Sequence, residues 1–123
     1  MKLMLSNVSG IPIYSQIKQQ IISAILSGEL SDNELLPSLR QLAKELKISV
    51  LTTTRAYTEL EQEGFIVTEQ GKGCFVIASG SQKVREQLVQ KTENALTDAV
   101  RLAQRAGLSK DELIIMLDKL MEE

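Results

Sequence analysis

From Pro12 onward apolar residues recur at steps of three or four, and Ile13, Ile17, Ile21, Ala24 and Ile25 fall on one face of a helix. Pro12 suits the first turn, and Gly28 follows the last periodic position as a left-handed stop, which predicts helix one from Pro12 to Ser27. Ser31-Asp32-Asn33-Glu34 reads as a turn. Ser38 then stands where it can cap a short stripe of Leu39, Leu42, Ala43 and Leu46, predicting helix two from Ser38 to Leu46. Ser49 is placed to cap a third face, Thr53, Ala56, Tyr57 and Leu60, predicting helix three from Val50 to Glu63. The connection between helices two and three is so short that the pair must cross sharply instead of forming a long antiparallel hairpin. That is helix-turn-helix spacing.

Beyond Gly64 the period changes from helical to extended. Phe65-Ile66-Val67-Thr68 and Cys74-Phe75-Val76-Ile77 are strand-like runs around a Gly71-Lys72-Gly73 tip, the pattern of a β-hairpin. A phosphate cradle built from glycines and lysine would open a helix, whereas a strand follows here. Ser79-Gly80-Ser81 is a small polar link. After it, Val84, Leu88, Ala95, Ala99, Leu102 and Ala106 mark a long amphipathic helix that stops at Gly107, and Ala103 adds to a set of alanines that permits close helix approach. Ser109 with Glu112 forms a capping-box pattern flanked by Leu108 and Leu113, and Leu113, Ile114, Leu117, Leu120 and Met121 make the inner stripe of a last helix. The expected fold is mainly α with a small β-hairpin: a winged helix-turn-helix over residues 1–78, then a short helical segment over residues 79–123.

Composition narrows the function. With 123 residues, 43% apolar, and 14 Lys plus Arg against 16 Asp plus Glu, the chain can bury a core without staples. It has no histidine, and Cys74 is its one cysteine. That rules out a disulfide framework, the usual Cys and His zinc sites and any Ser-His or Cys-His nucleophile, and no metal or cofactor is expected. No apolar run approaches the roughly 18 residues of a membrane span, so a cytoplasmic protein is expected. The near-neutral total hides a local excess. Between Ser38 and Thr58 the cations Arg40, Lys44, Lys47 and Arg55 face the single acid Glu45. Thr52, Thr54, Arg55 and Thr58 lie on the outward face of helix three, with hydroxyl and guanidinium groups that suit base edges and phosphates or are simply solvated. Glu59, Glu61 and Glu63 read as a solvated helix face.

At this point the sequence resembles the N-terminal winged-helix domain of the GntR family of bacterial transcription regulators. The resemblance rests on Ile13-Tyr14-Ser15-Gln16-Ile17, Gly28-Glu29-Leu30, Leu36-Pro37-Ser38-Leu39-Arg40-Gln41-Leu42-Ala43, Ile48-Ser49, Thr52, Ala56-Tyr57-Thr58-Glu59-Leu60-Glu61, Glu63-Gly64-Phe65 and Gly71-Lys72-Gly73-Cys74-Phe75-Val76, in the family's order. The short remainder after Ile77 is similar to the YtrA-type subfamily, which carries a small helical dimerisation segment. The resemblance implies a homodimeric, sequence-specific DNA-binding regulator, expected to be a repressor acting on a palindromic operator, with control of a transporter operon as a further expectation. It implies that Ser38 and Arg40 touch phosphate, that Ser49, Leu51, Thr52, Thr54 and Arg55 lie at the reading end of helix three, and that Gly71, Lys72 and Gly73 form the wing tip.

Each implied contact has a structural alternative. Ser38 and Ser49 are equally helix caps, Gly71 and Gly73 equally shape a turn, and Arg40 has the option of pairing with a carboxylate of its own domain. Where relatives often carry an arginine and then an asparagine after the serine, this chain has Val50 and Leu51. Those two positions cannot make a bidentate contact to guanine or adenine, and Leu51 either meets a thymine methyl or packs. The C-terminal stripes need a partner: they either fold back on helix one or meet a second copy. A crevice between the winged domain and the dimer helices is a further expected site for a small-molecule effector, which no residue names. The rival reading is a winged-helix module that binds a protein, distinguished by weak salt dependence and indifference to Arg40→Ala.

Overall fold

The computed structural model describes residues 1–78 and 82–122, so the Ser79-Gly80-Ser81 link lies outside the described residues. The element order is α1 (Ile13–Ser27), α2 (Leu39–Leu46), α3 (Val50–Gln62), β1 (Ile66–Glu69), β2 (Gly73–Val76), α4 (Gln82–Ala106) and α5 (Lys110–Met121). The chain divides into two compact units, Met1–Leu88 and Val89–Glu123.

In the first unit the predicted caps set the helix ends. Ser38 Oγ accepts the Gln41 amide at 3.1 Å and Ser49 Oγ accepts the Thr52 amide at 3.2 Å, so each serine satisfies one of the orphan donors of its helix. Gly28 ends α1 with φ 85°, and the Leu30 amide reaches back to the Ala24 carbonyl at 3.0 Å. Lys47 ends α2 in the left-handed region, at φ 57°. This sharp stop lets α3 begin after only Ile48 and Ser49.

Helices α1 and α2 both pack on α3, and their apolar faces meet in one core containing Ile17, Ile21, Leu42, Leu60, Phe65 and Val76. Two buried hydroxyls sit inside it. Thr53 Oγ1 donates to the Leu39 carbonyl at 3.1 Å and to the Val50 carbonyl at 2.9 Å, while the Tyr57 hydroxyl donates to the Pro37 carbonyl at 2.8 Å. Together they tie the inward face of α3 to the backbone at the start of α2. Burial pushes the Tyr57 phenol well above its ordinary range, which keeps it protonated as the donor this bond requires.

The hairpin pairs β1 and β2 antiparallel, with Ile66 opposite Val76 and Glu69 opposite Gly73. The segment read from sequence as a turn does more than turn. After Asn33, at φ 66°, the chain runs alongside β2: the Leu36 amide donates to the Cys74 carbonyl at 2.9 Å, and the Val76 amide donates to the Glu34 carbonyl at 2.9 Å. The wing is therefore anchored on its inner edge by the α1–α2 connection. Gly73 has φ 113°, and a Cβ there would lie 3.0 Å from Leu35 Cδ1, so both conformation and space favour glycine.

Val84 corrects one expectation. Counted from the sequence with the dimer stripe, it is only 2% exposed and belongs to the core of the first unit. The packing boundary accordingly falls inside α4, beyond residues 78 and 79. In the second unit Gly107 stops α4 at φ 74°, and the Leu108 amide reaches the Ala103 carbonyl at 2.9 Å. Ser109 and Glu112 form the reciprocal capping box, with amide-to-side-chain distances of 3.0 and 3.1 Å. Among the described residues no helix is long and apolar enough to cross a membrane.

The Tyr57 bond yields a stability test. Tyr57→Phe keeps the ring and strands the Pro37 carbonyl, so urea denaturation should show a loss of about 1–2 kcal/mol. An unchanged midpoint would mean that the hydroxyl contributes nothing to the join between α2 and α3.

Candidate nucleic-acid interface

The first turn of α2 and the wing tip face a common groove. Leu35, Pro37, Ser38, Arg40, Lys72 and Cys74 help line this open space of about 510 Å³. Arg40 is exposed, and among the described residues it has no ion-pair partner, so its guanidinium is free to meet an anion. Lys72 is exposed at the tip, where its amide donates to the Glu69 carbonyl at 3.0 Å to close the turn. Gly71, at φ 80°, and Gly73 give that turn its shape. The structure thus brings Ser38, Arg40, Lys72 and Gly73 together, although they come from segments far apart in the chain.

The first turn of α3 carries the remaining candidate residues. Ser49 Oγ and Thr52 Oγ1 lie 2.8 Å apart and share a hydrogen, and Thr54 Oγ1 donates to the Val50 carbonyl at 2.8 Å. Leu51 stands out into solvent. Arg55 has partners the sequence did not reveal. Its Nη2 donates to the Tyr14 hydroxyl at 3.0 Å, its guanidinium lies 3.7 Å from the Tyr14 ring centroid, and its Nε is 3.3 Å from Glu59 Oε2. The cation is held by an aromatic face and a carboxylate one turn along the helix.

The acids at the end of α3 correct a second expectation, for they are more than a solvated face. Glu59 and Glu63 both pair with Lys18 of α1, Glu59 at 3.2 Å, and Glu61 Oε2 accepts the Thr68 amide at 2.8 Å. Lys18 is held above its ordinary pKa chiefly by its bond to Glu63. Glu59 is held below the usual carboxylate range, first by Lys18 and then by Arg55. The missed partners, Tyr14 and Lys18, lie on α1, about 40 positions before the groups they meet. Only the tertiary contact of α1 with α3 could have shown the pairing.

In the second unit Leu96, Ala99 and Val100 of α4 and Leu113, Ile114 and Leu117 of α5 line an apolar groove of about 280 Å³. Ala95, Leu102, Ala106, Leu120 and Met121 are exposed, as is Leu88 in the first unit. Ala103 is buried.

Residues 13–76 match a family described as bacterial regulatory proteins, gntR family. The HTH-type transcriptional repressor YtrA of Bacillus subtilis is 32% identical over 105 residues, covering 85% of this chain and 81% of the repressor. Among solved structures, YtrA from Sulfolobus acidocaldarius, a GntR-family transcription factor, superposes with a TM-score of 0.58 at 33% identity, over 99% of this chain and 97% of that one. The DNA-binding domain of AraR, in complex with operator ORR3, superposes with a TM-score of 0.52 at 28% identity, over 62% of this chain and 92% of that domain.

The ion pairs on α3 set a pH dependence. Because the Glu59 pKa is lowered in the folded chain, its contribution to stability is present above the unfolded-state pKa and disappears as pH falls through the folded value. In a carbon-13 carboxyl titration, Lys18→Met should raise the Glu59 midpoint toward the ordinary carboxylate value. A midpoint that stays where it was would assign the depression to another group.

Proposed function

The chain belongs to the GntR family of bacterial regulatory proteins, and from that premise we propose that it is a homodimeric transcription repressor that reads a palindromic operator through its N-terminal unit. The observation that carries this reading is the unpaired cation Arg40, set in one groove with Lys72, while the start of α3 is exposed as well. Phosphate oxygens satisfy such cations, and the first turn of the second helix in a helix-turn-helix is the part that meets base edges. Ser38 and Arg40 hold one phosphate run and Lys72 a neighbouring one, while Ser49, Leu51, Thr52 and Thr54 face the major groove. Arg55 contributes through the free donors of its fork, its ring and carboxylate partners setting its direction. The backbone at Gly71 and Gly73 gives the wing a close approach. These roles involve no enzymatic step, and the protein works in the cytoplasm, where its DNA is.

The second copy is drawn by the apolar surface of the second unit. Leu102 is 65% exposed and Leu120 65%, and the groove between α4 and α5 is almost wholly apolar, a surface that favours burial against another helix pair. A twofold partner covers it and presents two reading heads to the two halves of a palindrome. The bacterial relative of comparable length is named a repressor, which supports repression here.

Two measurements test this reading. Arg40→Ala should weaken binding to the DNA upstream of the protein's own gene about tenfold or more, and should lower the slope of log affinity against log salt by about one for each phosphate left without its cation. Equal binding of that DNA and random duplex by the unaltered protein would remove the reading. In sedimentation velocity the unaltered protein should run as a dimer and Leu117→Asp as a folded monomer, because a buried carboxylate would face apolar groups across the interface. A monomer in the unaltered protein would exclude the proposed arrangement.

A further inference from the structure

The outward face of α3 has few free polar groups where it would meet a base. Thr54 spends its hydroxyl hydrogen on the Val50 carbonyl at 2.8 Å, and Ser49 and Thr52 have one hydrogen left between them after their mutual bond. Arg55 is turned toward Glu59, one turn further along, and stacked on Tyr14. In the same first turn Leu51 is 82% exposed and Val50 is 42% exposed. The core face of this helix is supplied by Thr53, Ala56, Tyr57 and Leu60, so packing gives no reason for a leucine at position 51.

The major-groove edge of a base pair offers one apolar group of leucine's chemistry, the C5 methyl of thymine. Guanine and adenine present hydrogen-bonding atoms there, and cytosine presents an amino group without the methyl. We propose that Leu51, flanked by Val50, is a specificity-determining residue that selects thymine by covering its methyl group. The inference rests on the DNA-reading function and names what the reading end of α3 prefers. Affinity from phosphate contacts and discrimination from methyl contact then reside on different residues, Arg40 and Lys72 for the first and Leu51 for the second.

The test uses the full chain and duplexes that it enriches from a random pool. Each thymidine is replaced singly by deoxyuridine, which removes the methyl and leaves every hydrogen-bonding atom in place. At one position in each half of the enriched sequence, affinity should fall about fourfold, the effect of one buried methyl. Leu51→Ala should bind the two duplexes equally. Because the side chain is exposed, its circular dichroism should match that of the unaltered chain. Equal binding of both duplexes by the unaltered protein, with the enriched sequence still preferred to random DNA, overturns the inference and leaves the DNA-reading function standing. A loss that persists in Leu51→Ala overturns it too, since something other than Leu51 then senses the methyl. Enrichment of no duplex at all overturns the function together with the inference.

Discussion

The surface of the first unit depends on two buried hydroxyls. Thr53 and Tyr57 leave the inward face of α3 and bond to the backbone carbonyls of Leu39 and Pro37, where the chain enters and begins α2. Apolar packing alone would let α3 slide or roll against its neighbours, because dispersion and burial are not directional. A hydrogen bond in a desolvated interior is directional, and stranding its acceptor is costly. With that face fixed inward, Leu51 is left exposed and Thr52 and Thr54 half-exposed on the other side of α3.

Charge is sorted by the same packing. Lys18 is taken up by Glu59 and Glu63, and Arg55 by Glu59 and Tyr14, so the acids at the end of α3 are spent within the domain. Arg40 has no such partner among the described residues. A formal net charge of −2 therefore says little about the field over the groove, which is governed by cations left unpaired at short range.

The features legible in the sequence are those governed by local rules. Ser38, Ser49 and Ser109 cap where the pattern placed them, Gly28 and Gly107 stop their helices, and the strands fall within a residue of expectation, because each depends on neighbours a few positions away. The features that were not legible arise from distant pairing. Glu34 to Leu36 carries no strand period of its own and becomes extended only beside β2. Val84 fits the helical stripe of α4 equally well whether that stripe faces a second copy or the first unit's core. Tyr14 packs at the edge of the core, and its place beneath Arg55 follows only from α1 packing on α3.

The proposed DNA-facing surface joins the start of α2, the start of α3 and the wing tip. It is tested most directly by amide chemical-shift mapping of the nitrogen-15-labelled chain titrated with an enriched duplex. Shifts should concentrate at Ser38 to Arg40, Ser49 to Arg55 and Gly71 to Gly73, moving together with one affinity. Shifts confined to α4 and α5, or absent from all three segments while the duplex is bound, would contradict it.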